Sequence, residues 1–274
     1  MPKLSFACAA VAAVGLWSAT ACAQRDARAG PPTPDTCFWA EREFKTIPER
    51  GSREAKGVVL WSHGQSASRT PSWIVGAPPV IRLFAEAGWD VLLVQRNERC
   101  EGDWDQRGQA YVDNLVDEVA RAKQAGYQRI LAAGQSFGAG TALGASARTT
   151  DIDCVLAFAL SHGRGSCRSM STFRPSMVAM HERAIRQGIQ EAKAPRILIS
   201  MGKDDHCVGH SFTPLVSAGL EAKKIAYIHL DEAMPIAGHG AATRKEFAAL
   251  YGDCLLAFFA GDSVPGPGRH VCKQ

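Results

Sequence analysis

The sequence predicts an α/β fold with one doubly wound, mostly parallel sheet. Three observations carry that reading. Short apolar runs recur from residue 57 to residue 230. Most are continuous rather than alternating, as expected for strands covered by helices on both faces. Segments with helical spacing lie between them, and a β-α-β-α order implies a parallel sheet with crossover helices.

The elements follow in order. "CFWAEREFKTI" alternates enough for an antiparallel edge strand before residue 57. "GVVLWS" (57–62) is the first buried strand. "PPVIRLFAEAG" opens on prolines and stops at Gly88, the asymmetry of a helix start and end. "DVLLVQ" (90–95) is the next strand. The polar stretch "RNERCEGDWDQRG" (96–108) reads as a loop of unassigned role. "YVDNLVDEVARAKQAG" places Val112, Leu115, Val116 and Val119 on one helical face. Strands "RILAA" (129–133), "VLAFAL" (155–160), "RILIS" (196–200) and "IAYIHL" (225–230) alternate with helices over 137–147, 177–191, 213–223 and 242–259. Residues 161–195 hold one helix, so a small cap at most is expected, over an open cleft.

The chain has 274 residues, 46% of them hydrophobic and 21% charged, enough to build one large core. Its net charge is +4, without a basic run interleaved with aromatics, so nucleic-acid binding gains no support. Lys3 followed by "LSFACAAVAAVGLW" and the small residues "SATACAQ" reads as an export signal. The apolar run is too short to span a bilayer comfortably. Cleavage after Ala23 would leave Gln24 first; the rival is a weak lipobox that would place lipid on Cys22, with Ala19 where leucine is usual. The organisation expected is a signal peptide over 1–23, a flexible lead-in over 24–35 and a single domain over 36–274, exported to the periplasm or secreted. Oligomeric state is left open.

Two of the nine cysteines, Cys8 and Cys22, fall in the signal. The others are Cys37, Cys100, Cys154, Cys167, Cys207, Cys254 and Cys272, an odd set compatible with an oxidising compartment. Cys154, at the start of an apolar strand, is expected as the buried free thiol. Six others allow 15 pairings, and the sequence does not choose among them.

In open α/β sheets, ligands meet the carboxyl ends of the strands. Those ends here carry "HGQS", "GQSFG", "SHGRGSC", "MGKDDHC" and "DEAMPIAGHG". "GQSFG" fits G-x-S-x-G between a strand and a helix, where a tight turn exposes a serine and glycines avoid collision. Ser136 is the candidate nucleophile, with Gly134 and Gly138 as the elbow glycines. A serine needs a base, and His239 in "AGHGA" supplies it; the base needs an acid, which is Asp204 or Asp205.

On "HGQS", "GQSFGAG", "GKDD" and "GHG", in that order, the chain resembles the α/β-hydrolases over about residues 55–260, close to the dienelactone hydrolase and small secreted esterase branch. The resemblance implies an α/β-hydrolase fold and a Ser-His-Asp acyl-enzyme mechanism on a carboxylic ester. It points to Asp205, three residues after Gly202, as the acid, with Asp204 as the alternative. It implies backbone N–H donors for the oxyanion at Phe137 and Gln65. Trp61 and His63 are expected to shape the pocket or support the loop, and His63 reads better as a structural histidine bonded to backbone. No cofactor or metal is expected, and the partner is a small-molecule ester. Relatives of the dienelactone branch often use cysteine where this chain has serine, which favours ordinary ester chemistry.

Other readings are weaker. "GAGTAL" lacks the last glycine of a dinucleotide loop. "DDHCVGH" gathers Asp204, Asp205, His206, Cys207 and His210, but in a loop and without H-E-x-x-H; Cys207 reads better as a disulfide half, with Cys167 a candidate partner. An exported serine peptidase or a thioesterase on the same fold remains an alternative bond specificity. A non-catalytic binding module would leave the filled triad positions unexplained.

Overall fold

A computed structural model describes residues 46–64, 76–95, 104–161, 175–205, 207, 212–263 and 265–273. The predicted signal, lead-in and most of the predicted edge strand lie outside them. Seven parallel strands form one sheet: β1 Val58–Ser62, β2 Asp90–Leu93, β3 Ile130–Gln135, β4 Cys154–Phe158, β5 Arg196–Ser200, β6 Ala226–Leu230 and β7 Gly268–Arg269. Their spatial order is β2-β1-β3-β4-β5-β6-β7. The predicted fold class is therefore the observed one. At the edge beyond β2, Thr46 bridges Leu92 in antiparallel sense, and the N–H of Ile47 donates to the Val91 carbonyl at 2.8 Å.

The continuous apolar runs bury both faces. Val58 and Leu60 of β1 enter one core with Ile130, Ala132, Val155 and Ile197. Val59 and Trp61 enter the other, with Leu131, Ala133, Leu156 and Leu198. The first core is closed by α2 Trp104–Gln124, α3 Phe137–Arg148, α4 Pro175–Glu191 and α5 Thr213–Lys223. The second is closed by α1 Pro79–Glu86 and α6 Lys245–Leu255, whose Phe84, Phe247 and Tyr251 are fully or almost fully buried. Alternate residues of each strand thus feed opposite layers, and burial at about 25 cal/mol per Å² drives the assembly.

Three expectations need correction. The helix expected over 242–259 is broken: a 3₁₀ turn spans Ala241–Thr243, Arg244 is extended (φ −88°, ψ 153°), and α6 starts only at Lys245. Its end relaxes into a π-turn over Leu256–Ala260. The segment read as loop 96–108 is helical from Trp104 onward, because α2 begins there. A strand after β6 was not expected; β7 has two residues, too few for any periodicity.

Beyond β7, the Cys254–Cys272 disulfide ties the C-terminal tail to α6. Cys154 is a free buried thiol, as expected from its place at the start of β4. Burial pushes its pKa up to about 12, so it stays protonated and inert. Among the described residues no helix is long and apolar enough to cross a membrane.

Asp90 and His229 are among the buried polar groups of the sheet. Asp90 opens β2 and accepts bonds from Tyr127 Oη (2.6 Å) and the Gly51 N–H (2.9 Å). Burial and the adjacent Asp90 carboxylate raise the Tyr127 hydroxyl to about 12, which keeps it a donor. On β6, His229 is buried with Nδ1 2.9 Å from Ser217 Oγ. Burial lowers its pKa to about 4. The unfolded chain takes up a proton on this imidazole near its ordinary value of about 6.5, while the folded chain resists until about pH 4. Stability is therefore full above about 6.5 and falls as pH drops toward 4, by up to roughly 3 kcal/mol. Urea midpoints measured from pH 7 to pH 4.5 should decline, and His229→Gln should flatten that slope. An unchanged slope in the variant would place the acid sensitivity elsewhere.

Candidate active site

The site grows from the end of β3. Gln135 is the last strand residue and Phe137 the first of α3, so Ser136 alone makes the turn. Its backbone is at φ 57°, ψ −118°, a conformation that costs a non-glycine residue roughly 1–3 kcal/mol. Neighbouring backbone holds it there. The Ser136 N–H donates to the Phe158 carbonyl at 2.8 Å, and the Ser136 carbonyl accepts from the N–H groups of Ala139 (3.0 Å) and Ser161 (3.3 Å). Phe137 occupies the position where backbone N–H groups look out of a helix end.

The two glycines of "GQSFG" sit where a side chain would collide with backbone. A Cβ on Gly134 would overlap the Gly138 backbone, and one on Gly138 would overlap the carbonyl oxygen of Ser62 and approach that of His63 to 2.6 Å. Gly64 is similarly close: its Cβ would run into Gln135 Oε1 and lie 3.2 Å from Ser136 Cβ. The loop leaving β1 thus runs against the elbow. Gln65, the next residue, lies outside the described residues, as do His206 and His210.

Asp205 and His239 come together because β5 and β6 are parallel neighbours in register, Ser200 beside Leu230. Pairing resumes past the strand ends with a Lys203–Ala237 bridge and a 2.6 Å bond from the Gly238 N–H to the Lys203 carbonyl. Gly238, at φ 88°, turns the chain so that the next residue points inward. His239 Nδ1 lies 2.9 and 3.0 Å from the two oxygens of Asp205. The Cys207 N–H donates to Asp205 Oδ1 at 2.9 Å. Asp204 is exposed, at φ 56°, and lines a separate surface hollow with Glu232 and Pro235. Of the two candidate acids, the geometry pairs Asp205 with the histidine.

His239 Nε2 is buried without a hydrogen-bond partner among the described residues. With Nδ1 protonated toward the carboxylate, Nε2 is left as a bare acceptor, the state a general base requires. Asp205, Cys207 and His239 also cluster closely enough to suggest a metal site. Cys207 is bonded in a disulfide, so its sulfur offers no thiolate, and the other two groups already bond each other. The suggested partner Cys167 lies outside the described residues.

Beside the elbow is a cavity of about 410 Å³ lined by Trp61, His63, Gly64, Pro78, Arg82 and Gln135. That volume suits a small organic ligand. Two contributors carried no signal of their own in the sequence: Gln135, whose Nε2 donates to the His239 carbonyl at 3.1 Å, and the Cys207 backbone beneath Asp205. The first stood in plain view inside "GQSFG", but only the fold shows how far its side chain reaches.

No family model matches the chain, and no curated relative does. Solved structures do. An esterase of Pyrococcus furiosus superposes with a TM-score of 0.54 at 17% identity, over 76% of this chain and 84% of its own. A monoacylglycerol lipase of Paleococcus ferrophilus gives 0.54 at 14%, over 77% and 96%. A Klebsiella pneumoniae protein assigned as a dienelactone hydrolase gives 0.52 at 16%, over 77% and 89%. The chain has the α/β-hydrolase fold. Within that fold, Ser136 stands at the β3–α3 turn, and the loops after β5 and β6 bring Asp205 and His239 together.

The contact at Gly138 leads to a direct expectation. Gly138→Ala forces a methyl group into backbone carbonyls that cannot yield as a side chain would. The variant should lose about 1–3 kcal/mol of stability, read as a lower urea midpoint. An unchanged midpoint would mean the β1 loop can move away from the elbow at little cost.

Proposed function

We propose that the protein is an exported serine hydrolase that cleaves carboxylic esters through an acyl-enzyme. The observation that carries the reading is the Asp205–His239 pair, bonded through Nδ1 with Nε2 buried and unpartnered among the described residues, on the same sheet edge as a strained elbow serine. In this mechanism Ser136 Oγ attacks the ester carbonyl carbon and its proton passes to His239 Nε2. Asp205 holds the tautomer and stabilises the imidazolium. The carbonyl π pair moves onto oxygen, where the N–H groups of Phe137 and Gln65 receive it. Collapse expels the alcohol, which takes the proton from Nε2. Water then repeats the sequence on the acyl-serine and releases the acid. The cavity beside Gln135 would take one arm of the ester.

Export is part of the proposal. The N-terminal pattern of Lys3, an apolar run and Ala21-Cys22-Ala23 supports it, and so do the disulfide at Cys207 and the Cys254–Cys272 bridge. Mass spectrometry of protein from the exported fraction should find Gln24 as the first residue. A lipid-modified Cys22 would correct the anchoring, and protein found only inside the cell with Met1 intact would overturn export.

Hydrolysis of p-nitrophenyl acetate and butyrate, with fluorophosphonate labelling, tests the chemistry. Ser136→Ala should abolish labelling and cut kcat by more than about 10⁴-fold. Asp205→Asn should cost about 10⁴-fold, whereas Asp204→Asn should stay within about threefold. Wild-type protein that neither labels nor turns over would sink the serine-enzyme reading.

A further inference from the structure

The first residue between the elbow glycines has a task that the proposed chemistry does not assign it. We propose that Gln135 is a positioning residue, whose side-chain amide locks the His239 loop to the nucleophile strand and sets where the imidazole meets Ser136. The inference rests on the serine-hydrolase reading for its kinetic consequence, though not for its structural one.

The physical case begins with how His239 is held. Asp205 bonds its Nδ1, and the Lys203 carbonyl holds the neighbouring Gly238 N–H. Both tethers belong to the loop after β5. They fix the ring on one side, and Nε2 adds no further hydrogen bond among the described residues. The nucleophile belongs to β3, two strands away in the order β3-β4-β5. Some bond must relate the base's backbone to the serine's strand. Gln135 Nε2 supplies one, donating to the His239 carbonyl at 3.1 Å across 104 residues of sequence.

The amide is well placed to act as a strut. Gln135 is still a strand residue, in register with Phe158, so its backbone is set by the sheet. Its other amide atom, Oε1, abuts Gly64 so closely that a Cβ there would overlap it. One planar group is thereby confined between the loop leaving β1 and the loop carrying the base. It is also covalently next to Ser136 and forms part of the wall of the adjacent cavity. Gln135 holds the groups at their working separation; it does not touch the reacting atoms. A displacement of about 1 Å in such a constellation costs on the order of 10²-fold in rate.

Gln135→Met and Gln135→Glu keep the length of the side chain and remove the donor, the second also setting a carboxylate against the His239 carbonyl. Both should lower kcat on p-nitrophenyl butyrate by about 10- to 100-fold. KM should stay within about threefold, and fluorophosphonate inactivation should slow in step with kcat. A role confined to packing would instead move the urea midpoint and leave kcat of the folded fraction unchanged. Amide hydrogen exchange gives a readout that needs no activity. Protection of the Gly238 and Ala241 N–H groups should drop in Gln135→Met relative to wild type, while β3 and β6 keep theirs. A variant that retains wild-type exchange in 237–241 overturns the proposal. So does one that retains kcat within twofold. If wild-type protein shows no esterase activity or labelling, the hydrolase reading fails while the exchange result still decides whether Gln135 holds the loop.

Discussion

The site depends on a backbone contact with no room for a side chain. Where α3 leaves the elbow, Gly138 lies against the carbonyls at the end of β1, and Gly134 lies against Gly138. Two strands, a turn and a helix end meet there at van der Waals distance. That closeness lets Ser136 hold a backbone conformation that an isolated serine would leave at once. The strain is offset by bonds from Ser136 to Phe158, Ala139 and Ser161, which are made only when β3, β4 and α3 are all in place. The serine's geometry is thus a property of the folded sheet, not of the five-residue motif.

The Asp205–His239 pair obeys a different constraint. Parallel strands in register deliver their following loops to the same edge, but register alone places backbones, not side chains. Between β5 and β6 the pairing continues through Lys203 and Ala237, and that extension brings Asp205 within bonding distance of His239. Asp205 is buried, and its charge is met by the His239 ring and the Cys207 N–H. Burial without those partners would cost several kcal/mol. The Cys207 disulfide fastens the same stretch of chain. Order at the carboxylate is therefore maintained by covalent as well as hydrogen-bonded links.

Much of this was legible in the sequence because burial on both faces writes itself as continuous apolar runs. The six longer strands, the elbow glycines and the free Cys154 all follow from local pattern and its position. What stayed hidden depends on contacts between distant segments. Arg244 interrupts a stretch whose composition suits an unbroken helix, since the 3₁₀ turn at Ala241 completes the loop after β6 first. Trp104 starts a helix in a polar, glycine-containing stretch that reads as loop. Asp204 and Asp205 are chemically equivalent neighbours, and only the left-handed backbone at Asp204 turns one outward and the other in. Gln135 reads as a variable motif position until the loop after β6 is seen beneath its amide.

The short β7 has a consequence for the molecule's company. A sheet ends in strands with unused N–H and carbonyl groups, a template on which another chain can pair. Here the edge at β2 is met by Thr46 and Ile47, and the edge at β6 by Gly268 and Arg269. A two-residue strand has little hold of its own; the bridge from Cys272 to α6 keeps it in place. The Cys254–Cys272 bridge and the bonds of Gly268 and His270 to Ile225 and Tyr227 thus hold a short segment over the β6 edge.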